Sequence, residues 1–180
     1  MDFSRPFEVF SVANRLAKLG WNIWLVAEEE SLVEARGVFQ VKPHYSIRNV
    51  PELDVLIVVG GVHSDELRKT EVINWIRKTA EKTRITGSVC TGAFLLAEAG
   101  LLDGLEVTTH WEDISDLHRN YKNLQVREGI SWIEQGKLFT AAGISAGIDM
   151  SLELVSRLAS AELAERTARQ MEYTWNRTKS

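Results

Sequence analysis

Apolar and polar positions along the chain follow two alternating periods, and this alternation predicts an α/β domain. Apolar residues recur at helical spacing over residues 7–19, and Gly20 ends this helix. The next apolar run, residues 21–27, predicts a strand. A second strand, over residues 53–59, is apolar at nearly every position, as in a parallel strand that helices cover on both faces. The amphipathic pattern over residues 65–82 predicts the following helix.

The rest of the chain continues this alternation between short strands and helices. The predicted elements, in chain order, are a charged connection at residues 28–34, one or two short strands within 37–45, a strand at 84–89, a helix from Thr91 to Gly100, a short strand at 106–109, a helix at 111–120, a β-hairpin formed by 130–133 and 137–141, a loop at 143–147, and helices at 149–158 and 161–173. With 180 residues and no linker or repeat, the chain is predicted to form a single domain, residues 1–180, with a mainly parallel sheet.

The joint between the strand at residues 84–89 and the following helix has the pattern of a nucleophile elbow. Cys90 lies at the joint, and Ser88 and Gly92 are the small residues that such a tight turn requires on either side. The helix that begins near Thr91 directs unpaired N–H groups and its positive dipole end at the sulfur, which favours the reactive thiolate. The alternative is a buried, inert cysteine, a common state for a lone Cys.

Composition and charge narrow the classes of function. Hydrophobic residues make up 44% of the chain and charged residues 26%, and the formal net charge is -4 without a basic cluster, so a nucleic-acid footprint is missing. No apolar run approaches the roughly 20 residues of a membrane span, and no signal peptide opens the chain. The single cysteine excludes an internal disulfide and fits a reducing cytoplasm, where we expect the protein to act. One cysteine and four scattered histidines do not form a metal-ligand pattern, so no metal or other cofactor is expected.

Four motifs, in order along the chain, resemble those of the ThiJ/PfpI superfamily. They lie at residues 87–93, 99–104, 108–111 and 143–149, and the resemblance extends over nearly the whole chain. It implies a flavodoxin-like, three-layer α/β sandwich related to class I glutamine amidotransferases. The similar branch contains isonitrile hydratase and the amidotransferase-like domains of AraC-type regulators. The resemblance further implies a small-molecule substrate or ligand and a homodimer.

The resemblance also implies roles for individual residues. Residues 2–6 match a family motif that supplies an acid/base carboxylate, with Arg5 in place of the usual glycine. By this likeness Cys90 is the nucleophile, Asp2 is the acid/base carboxylate and Thr91 is their polar neighbour. These three residues are the expected catalytic group.

Neighbouring positions complete the expected site. The N–H groups of Gly61 and Thr91 are expected to stabilise an anion. The residues expected to line the substrate site are Gly60, Gly61, His110, Trp111 and Ile144. Simpler interpretations stay open: Asp2 as a carboxylate at a helix N-terminus, His110 as a core side chain, and residues 60–61 as an ordinary turn.

Three functions are compatible with these residues. An isonitrile hydratase would use Cys90 to attack the isonitrile carbon and form a thioimidate, and Asp2 would move protons until an N-substituted formamide is released. The alternatives are a ligand- or redox-sensing domain related to AraC-type regulators, and a glyoxalase-like enzyme. The protease-like branch of the superfamily is disfavoured because Thr91 follows the nucleophile where that branch has histidine.

The resemblance also predicts a departure from the family fold. The family begins with an apolar strand ahead of the motif that contains Asp2, and here only Met1 precedes this residue. An empty position within a sheet would leave backbone groups unpaired. We therefore predict that the strand at residues 21–27 pairs directly with the strand at 53–59, or that another chain supplies the pairing. A longer natural protein that starts upstream of Met1 is the alternative.

Overall fold

A computed structural model describes residues 2–35 and 37–177, which alternate between strands and helices. The helices are α1 (Ser4–Ala17), α2 (Thr70–Lys82), α3 (Gly92–Glu98), α4 (Ile114–Asn120), α5 (Ile144–Leu158) and α6 (Ala161–Gln170). The strands are β1 (Val26–Ala27), β2 (Val33–Ala35), β3 (Phe39–Val41), β4 (Tyr45–Ser46), β5 (Val55–Val59), β6 (Ile85–Val89), β7 (Glu106–Val107), β8 (Gln125–Val126), β9 (Trp132–Gln135) and β10 (Leu138–Ala141). Single 3-10 turns at Glu66–Arg68 and Trp111–Asp113 precede α2 and α4. None of the helices in the described ranges has the length and apolar character that a membrane crossing requires.

The central sheet has four strands in the order β5-β6-β10-β9. Strands β5, β6 and β10 are parallel, and β9 pairs antiparallel with β10 as the predicted hairpin. Gly87 lies at the centre of the sheet, opposite Ile57 on one side and Phe139 on the other. A Cβ at Gly87 would lie 2.9 Å from Ile57 Cδ1, so the end of the Ile57 side chain would have to shift to accept one.

Hydrophobic cores lie on both faces of the central sheet. One core combines side chains of α1, α5 and α6 with Val89 of β6, and Ile57 of β5 packs against it. The other core combines side chains of α2 and α3 with Leu56 and Val58 of β5. Since neighbouring side chains of β5 enter opposite cores, helices cover both faces of the strand, as the apolar run at residues 53–59 predicts. The prediction of an α/β fold with a mainly parallel sheet is confirmed.

Residues 144–147 are helical, so the loop predicted at residues 143–147 is wrong except at Gly143, which precedes the helix. Helix α5 begins at Ile144 and includes Gly147 in its second turn. Gly147 packs against β6, since a Cβ there would lie 3.0 Å from Val89 Cγ1. The Ser151 hydroxyl donates to the Gly147 carbonyl at 2.6 Å. Small residues allow this helix to approach the strand closely, and they do not break it because the surrounding core holds it in place.

The region between α1 and β5 departs further from the prediction. The short strands expected within residues 37–45 are present as β3 and the start of β4, but β2 lies partly in the segment predicted as a charged connection. Of residues 21–27, Val26–Ala27 alone forms a strand, β1. This strand pairs in parallel with β4, and the Ala27 carbonyl accepts the N–H of Ile47 at 2.9 Å. The predicted direct pairing of residues 21–27 with β5 is therefore wrong.

Strand β5 forms one edge of the central sheet as far as the described residues extend. The carbonyl of Asp54 accepts the N–H of Arg84 at 2.8 Å, and by alternation the backbone groups of every second residue from Asp54 onward face β6. The N–H and C=O groups that point away from β6 belong to Val55, Ile57 and Val59. None of the described residues pairs with this outer edge. Pairing by another chain stays a prediction.

Candidate active site

Cys90 lies on a strained turn between β6 and α3. Its φ of 56° is in the left-handed region, which residues other than glycine rarely adopt. Gly92 permits the close approach of α3 to β5, because a Cβ there would lie 2.2 Å from the Val58 carbonyl oxygen. The turn follows the carboxyl end of β6, where ligands bind in α/β sheets. These features have the geometry of the predicted nucleophile elbow.

The Cys90 thiol is half-buried and lies beside the carboxylate of Asp2. Burial and the negative charge of Asp2 raise the pKa of this thiol to about 11, and a hydrogen bond to Asp2 adds to the rise. The backbone N–H of Thr91 donates to the sulfur and lowers the pKa, but its effect is smaller. The expectation of a ready thiolate is therefore wrong, because burial and the Asp2 charge outweigh the hydrogen bond from the Thr91 N–H at the start of α3. At neutral pH the resting group is a thiol.

Asp2 reaches the elbow from the turn that precedes α1. The residue is only 6% exposed. A Cβ added to Gly60 would lie 2.9 Å from Asp2 Oδ2 and 2.6 Å from Thr91 Oγ1, so these three residues meet at one point. The N-cap of α1 is Phe3, so Asp2 lies one residue before the cap. The structure thus brings together Asp2, Gly60, Cys90 and Thr91, and the simple role of a helix-terminal carboxylate does not account for the contact between Asp2 and the thiol.

Thr91 links the elbow to the turn after β5. The N–H of Gly61 donates to Thr91 Oγ1 at 2.9 Å, and this hydroxyl donates to the Gly61 carbonyl at 3.0 Å. The Gly61 N–H is therefore occupied by a protein partner and is not the free anion donor that was expected. The N–H of Thr91 remains directed at the sulfur of Cys90. Residues 60–61 form more than an ordinary turn, because they hold Thr91 in place.

A cavity of about 640 Å³ lies beside the elbow, and His110, Trp111 and Ile144 line it. It adjoins the elbow through Thr109, another lining residue, whose hydroxyl donates to the Cys90 carbonyl at 2.9 Å. His110 faces the cavity instead of either core, and its Nδ1 lies 3.6 Å from a carboxylate oxygen of Asp113. Trp111 and Ile144 are 71% and 44% exposed, so they offer apolar surface to a ligand.

Sequence reasoning missed several residues of this cavity. Arg5, Glu128 and Ser131 also line it, although Arg5 lies far from the other two residues in the sequence. The position of Arg5, three residues after Asp2, was the one sequence signal available. Glu128 lies in no recognisable motif, and only folding brings its loop to the cavity, so the sequence held no signal for it. Within the described residues, no group of three or more His, Cys, Asp or Glu side chains could hold a metal ion.

The model of the DJ-1/PfpI family matches residues 2–157 of the chain. Isonitrile hydratase of Pseudomonas putida is 33% identical over 174 residues, which cover 96% of this chain and 73% of that protein. The HTH-type transcriptional regulator CdhR of Pseudomonas aeruginosa is 30% identical over 94% of this chain, and the match spans 50% of the regulator's length.

Solved structures show the same fold. A ThiJ/PfpI family protein from Pseudomonas syringae superposes with a TM-score of 0.86 at 25% identity, and the match covers 98% of this chain and 71% of that one. An AraC family transcriptional regulator from Pseudomonas putida superposes with a TM-score of 0.80 at 22% identity, covering 94% of this chain and 91% of that one. With the family match and the cysteine at the elbow, these comparisons show that the chain belongs to the DJ-1/PfpI family.

Proposed function

We propose that this chain is a cysteine-dependent hydratase that adds water to isonitriles and releases N-substituted formamides. The observation that carries the proposal is the direct contact between the Cys90 thiol and the Asp2 carboxylate. An isonitrile carbon must gain both a nucleophile and a proton, and a thiol beside a carboxylate supplies both. The 33% identity to isonitrile hydratase supports the same chemistry.

The first step adds the thiol to the isonitrile carbon. Cys90 Sγ bonds to the terminal carbon while the Asp2 carboxylate accepts the thiol proton. Asp2 then gives this proton to the same carbon, and the product is a thioimidate with a carbon–nitrogen double bond. The raised pKa of Cys90 suits this order, because the thiol loses its proton as the attack proceeds.

The second step resolves the thioimidate with water. The Asp2 carboxylate takes a proton from water as the water oxygen adds to the carbon, and it passes this proton to the nitrogen. The new hydroxyl then gives up its proton to Asp2 as the carbon–sulfur bond breaks. Sulfur regains its proton from Asp2, and the N-substituted formamide leaves.

Thr91 supports both steps through its backbone. Its N–H points at the sulfur, so it stabilises the negative charge that develops on Sγ whenever the carbon–sulfur bond forms or breaks. The hydrogen bonds between its hydroxyl and Gly61 keep this N–H in position. The substituent on the isonitrile nitrogen would occupy the cavity lined by Trp111 and Ile144.

The test is formamide production by the purified chain from a small panel of isonitriles, followed by NMR. We expect turnover with the unchanged protein and none with Cys90→Ala or Cys90→Ser. Asp103→Asn, an exposed carboxylate-to-amide change away from the elbow, serves as the folding-neutral control. Retention of more than a few per cent of the activity by Cys90→Ser would overturn the covalent mechanism.

A second candidate function is ligand sensing, which the 30% identity to the regulator CdhR favours. In that case the cavity binds its ligand and the protein does not convert it. Redox sensing is the weaker form of this idea, because a thiol with a raised pKa holds little of the thiolate that oxidants attack. Saturable binding of an isonitrile that is recovered unchanged after long incubation would favour the sensor over the hydratase.

A further inference from the structure

The cavity beside the elbow carries two formal charges in otherwise neutral walls. Of the described residues that line it, Arg5 and Glu128 are the charged pair. Both side chains belong to exposed residues, and within the described ranges neither makes an ion pair or hydrogen bond, with each other or with another side chain. The guanidinium of Arg5 is therefore available to a ligand in the cavity.

We propose that this cavity selects isonitriles that carry a carboxylate, and that Arg5 binds this carboxylate. The inference rests on the proposed hydratase function for the reaction itself. A planar guanidinium donates two parallel hydrogen bonds to a carboxylate, an arrangement that a neutral substrate cannot match. Arg5 would act on substrate binding and would take no part in proton transfer.

The position of Arg5 relative to the reacting group supports this assignment. Arg5 lies in the first turn of α1, three residues after Asp2, whose carboxylate contacts the Cys90 thiol. The same N-terminal segment, residues 2–5, therefore supplies both the acid/base group and the cation at the cavity. A substrate whose carboxylate is held by Arg5 therefore lies in the cavity that adjoins the Cys90 turn through Thr109.

The other walls of the cavity agree with an organic acid as the ligand. Trp111 and Ile144 present exposed apolar surface to the carbon skeleton of the substrate. Glu128 repels a carboxylate, and this repulsion disfavours a binding mode in which the substrate's carboxylate lies at Glu128 instead of at Arg5. The volume of about 640 Å³ is within the usual range for small-molecule sites.

The test compares two substrates of nearly the same shape, isocyanoacetate and isocyanoacetamide. We expect the unchanged protein to prefer the carboxylate, and Arg5→Gln to reduce the ratio of the two kcat/KM values by about 10-fold, mainly through the KM of the carboxylate. Glu128→Gln should shift the same ratio in the opposite direction. Arg15→Gln, the same change at an exposed position of α1 outside the cavity, is the matched control and should leave the ratio unchanged. An unaltered ratio in Arg5→Gln overturns the proposal.

A binding measurement separates this inference from the proposed reaction. N-formylglycine and N-formylglycinamide, the products of the two substrates, are titrated by calorimetry into the unchanged protein and into Arg5→Gln. A preference for the acid that Arg5→Gln abolishes supports the carboxylate site even if no isonitrile is turned over, an outcome that would sink the hydratase alone. Equal binding of acid and amide by the unchanged protein overturns the carboxylate site whether or not turnover is observed.

Discussion

Replacing Asp2 with asparagine is expected to move the two measurable properties of Cys90 in opposite directions. The carboxylate raises the pKa of the thiol through its charge and its hydrogen bond, and it is also the proposed carrier of protons. Asp2→Asn therefore removes the acid/base group and, at the same time, makes the thiol easier to ionise. Hydration should fall about 10²- to 10⁴-fold, as is typical for the loss of a general acid–base group. Alkylation of Cys90 should become faster.

The expected gain in alkylation follows from the size of the pKa shift. The thiol pKa is about 11, against an ordinary value of 9.0, and burial is the largest single cause of this rise, followed by the negative charge of Asp2. If asparagine lowers the pKa by about one unit, the thiolate fraction at pH 8 rises about 10-fold. A less basic thiolate is also a weaker nucleophile, by about 3-fold for one unit. The net expectation is alkylation about 3-fold faster at pH 8.

The assay measures iodoacetamide alkylation of Cys90 by mass spectrometry between pH 7 and pH 11. The pH–rate profile gives the thiol pKa directly, and in the unchanged protein the rate should still be rising at pH 10. Asp103→Asn serves as the control and should reproduce the unchanged profile. If alkylation slows in parallel with hydration in Asp2→Asn, then Asp2 promotes ionisation of Cys90, and the assignment of a thiol–carboxylate pair is wrong.

Three further predictions concern the fold around the elbow. Ser88→Ala should raise the free energy of unfolding by about 1 kcal/mol in urea denaturation, because the buried Ser88 hydroxyl has no hydrogen-bond partner among the described residues; a clear loss would show that the hydroxyl is satisfied. Gly92→Ala should lower the unfolding free energy by at least about 2 kcal/mol, because its Cβ would overlap the Val58 carbonyl oxygen at 2.2 Å; a stability close to that of the unchanged protein would mean that α3 can shift. In hydrogen exchange, the amides of Val55, Ile57 and Val59 should exchange much faster than those of Leu56 and Val58, which face β6. Equal protection that increases with protein concentration would instead indicate that a second chain covers the edge of β5.

Much of the fold follows from local pattern. An apolar run such as residues 53–59 has one stable environment, a strand with helices on both faces, and β5 occupies it. The elbow was also predictable, because Gly92 and Cys90 stand where a tight strand-to-helix turn requires a small residue and a nucleophile. The likeness of residues 2–6 to a family motif placed Asp2 in the site, and the structure brings it to the thiol.

Long-range packing decided what local pattern could not. Residues 21–27 have a strand-like sequence, but a strand also needs a partner, and β1 is limited to the length that pairs with β4. Gly147 does not break α5, because the absence of a side chain lets the helix pack closely against Val89 and the core then holds it in place. In both cases the neighbours of the segment, which lie far away in sequence, determined its conformation.

The chemistry of the site divides in the same way. Residue identity alone determined which groups can react: the single thiol, the carboxylate of the motif at residues 2–6, and the threonine that follows the nucleophile. The protonation state of Cys90 depended on the folded chain, because burial and the charge of Asp2 act through space and together exceed the effect of the hydrogen bond from the Thr91 N–H. The cavity between Arg5 and Glu128 likewise exists only after segments from distant parts of the sequence meet. Sequence determines local geometry and available groups, whereas distances across the fold set their electrostatics and their access to ligands.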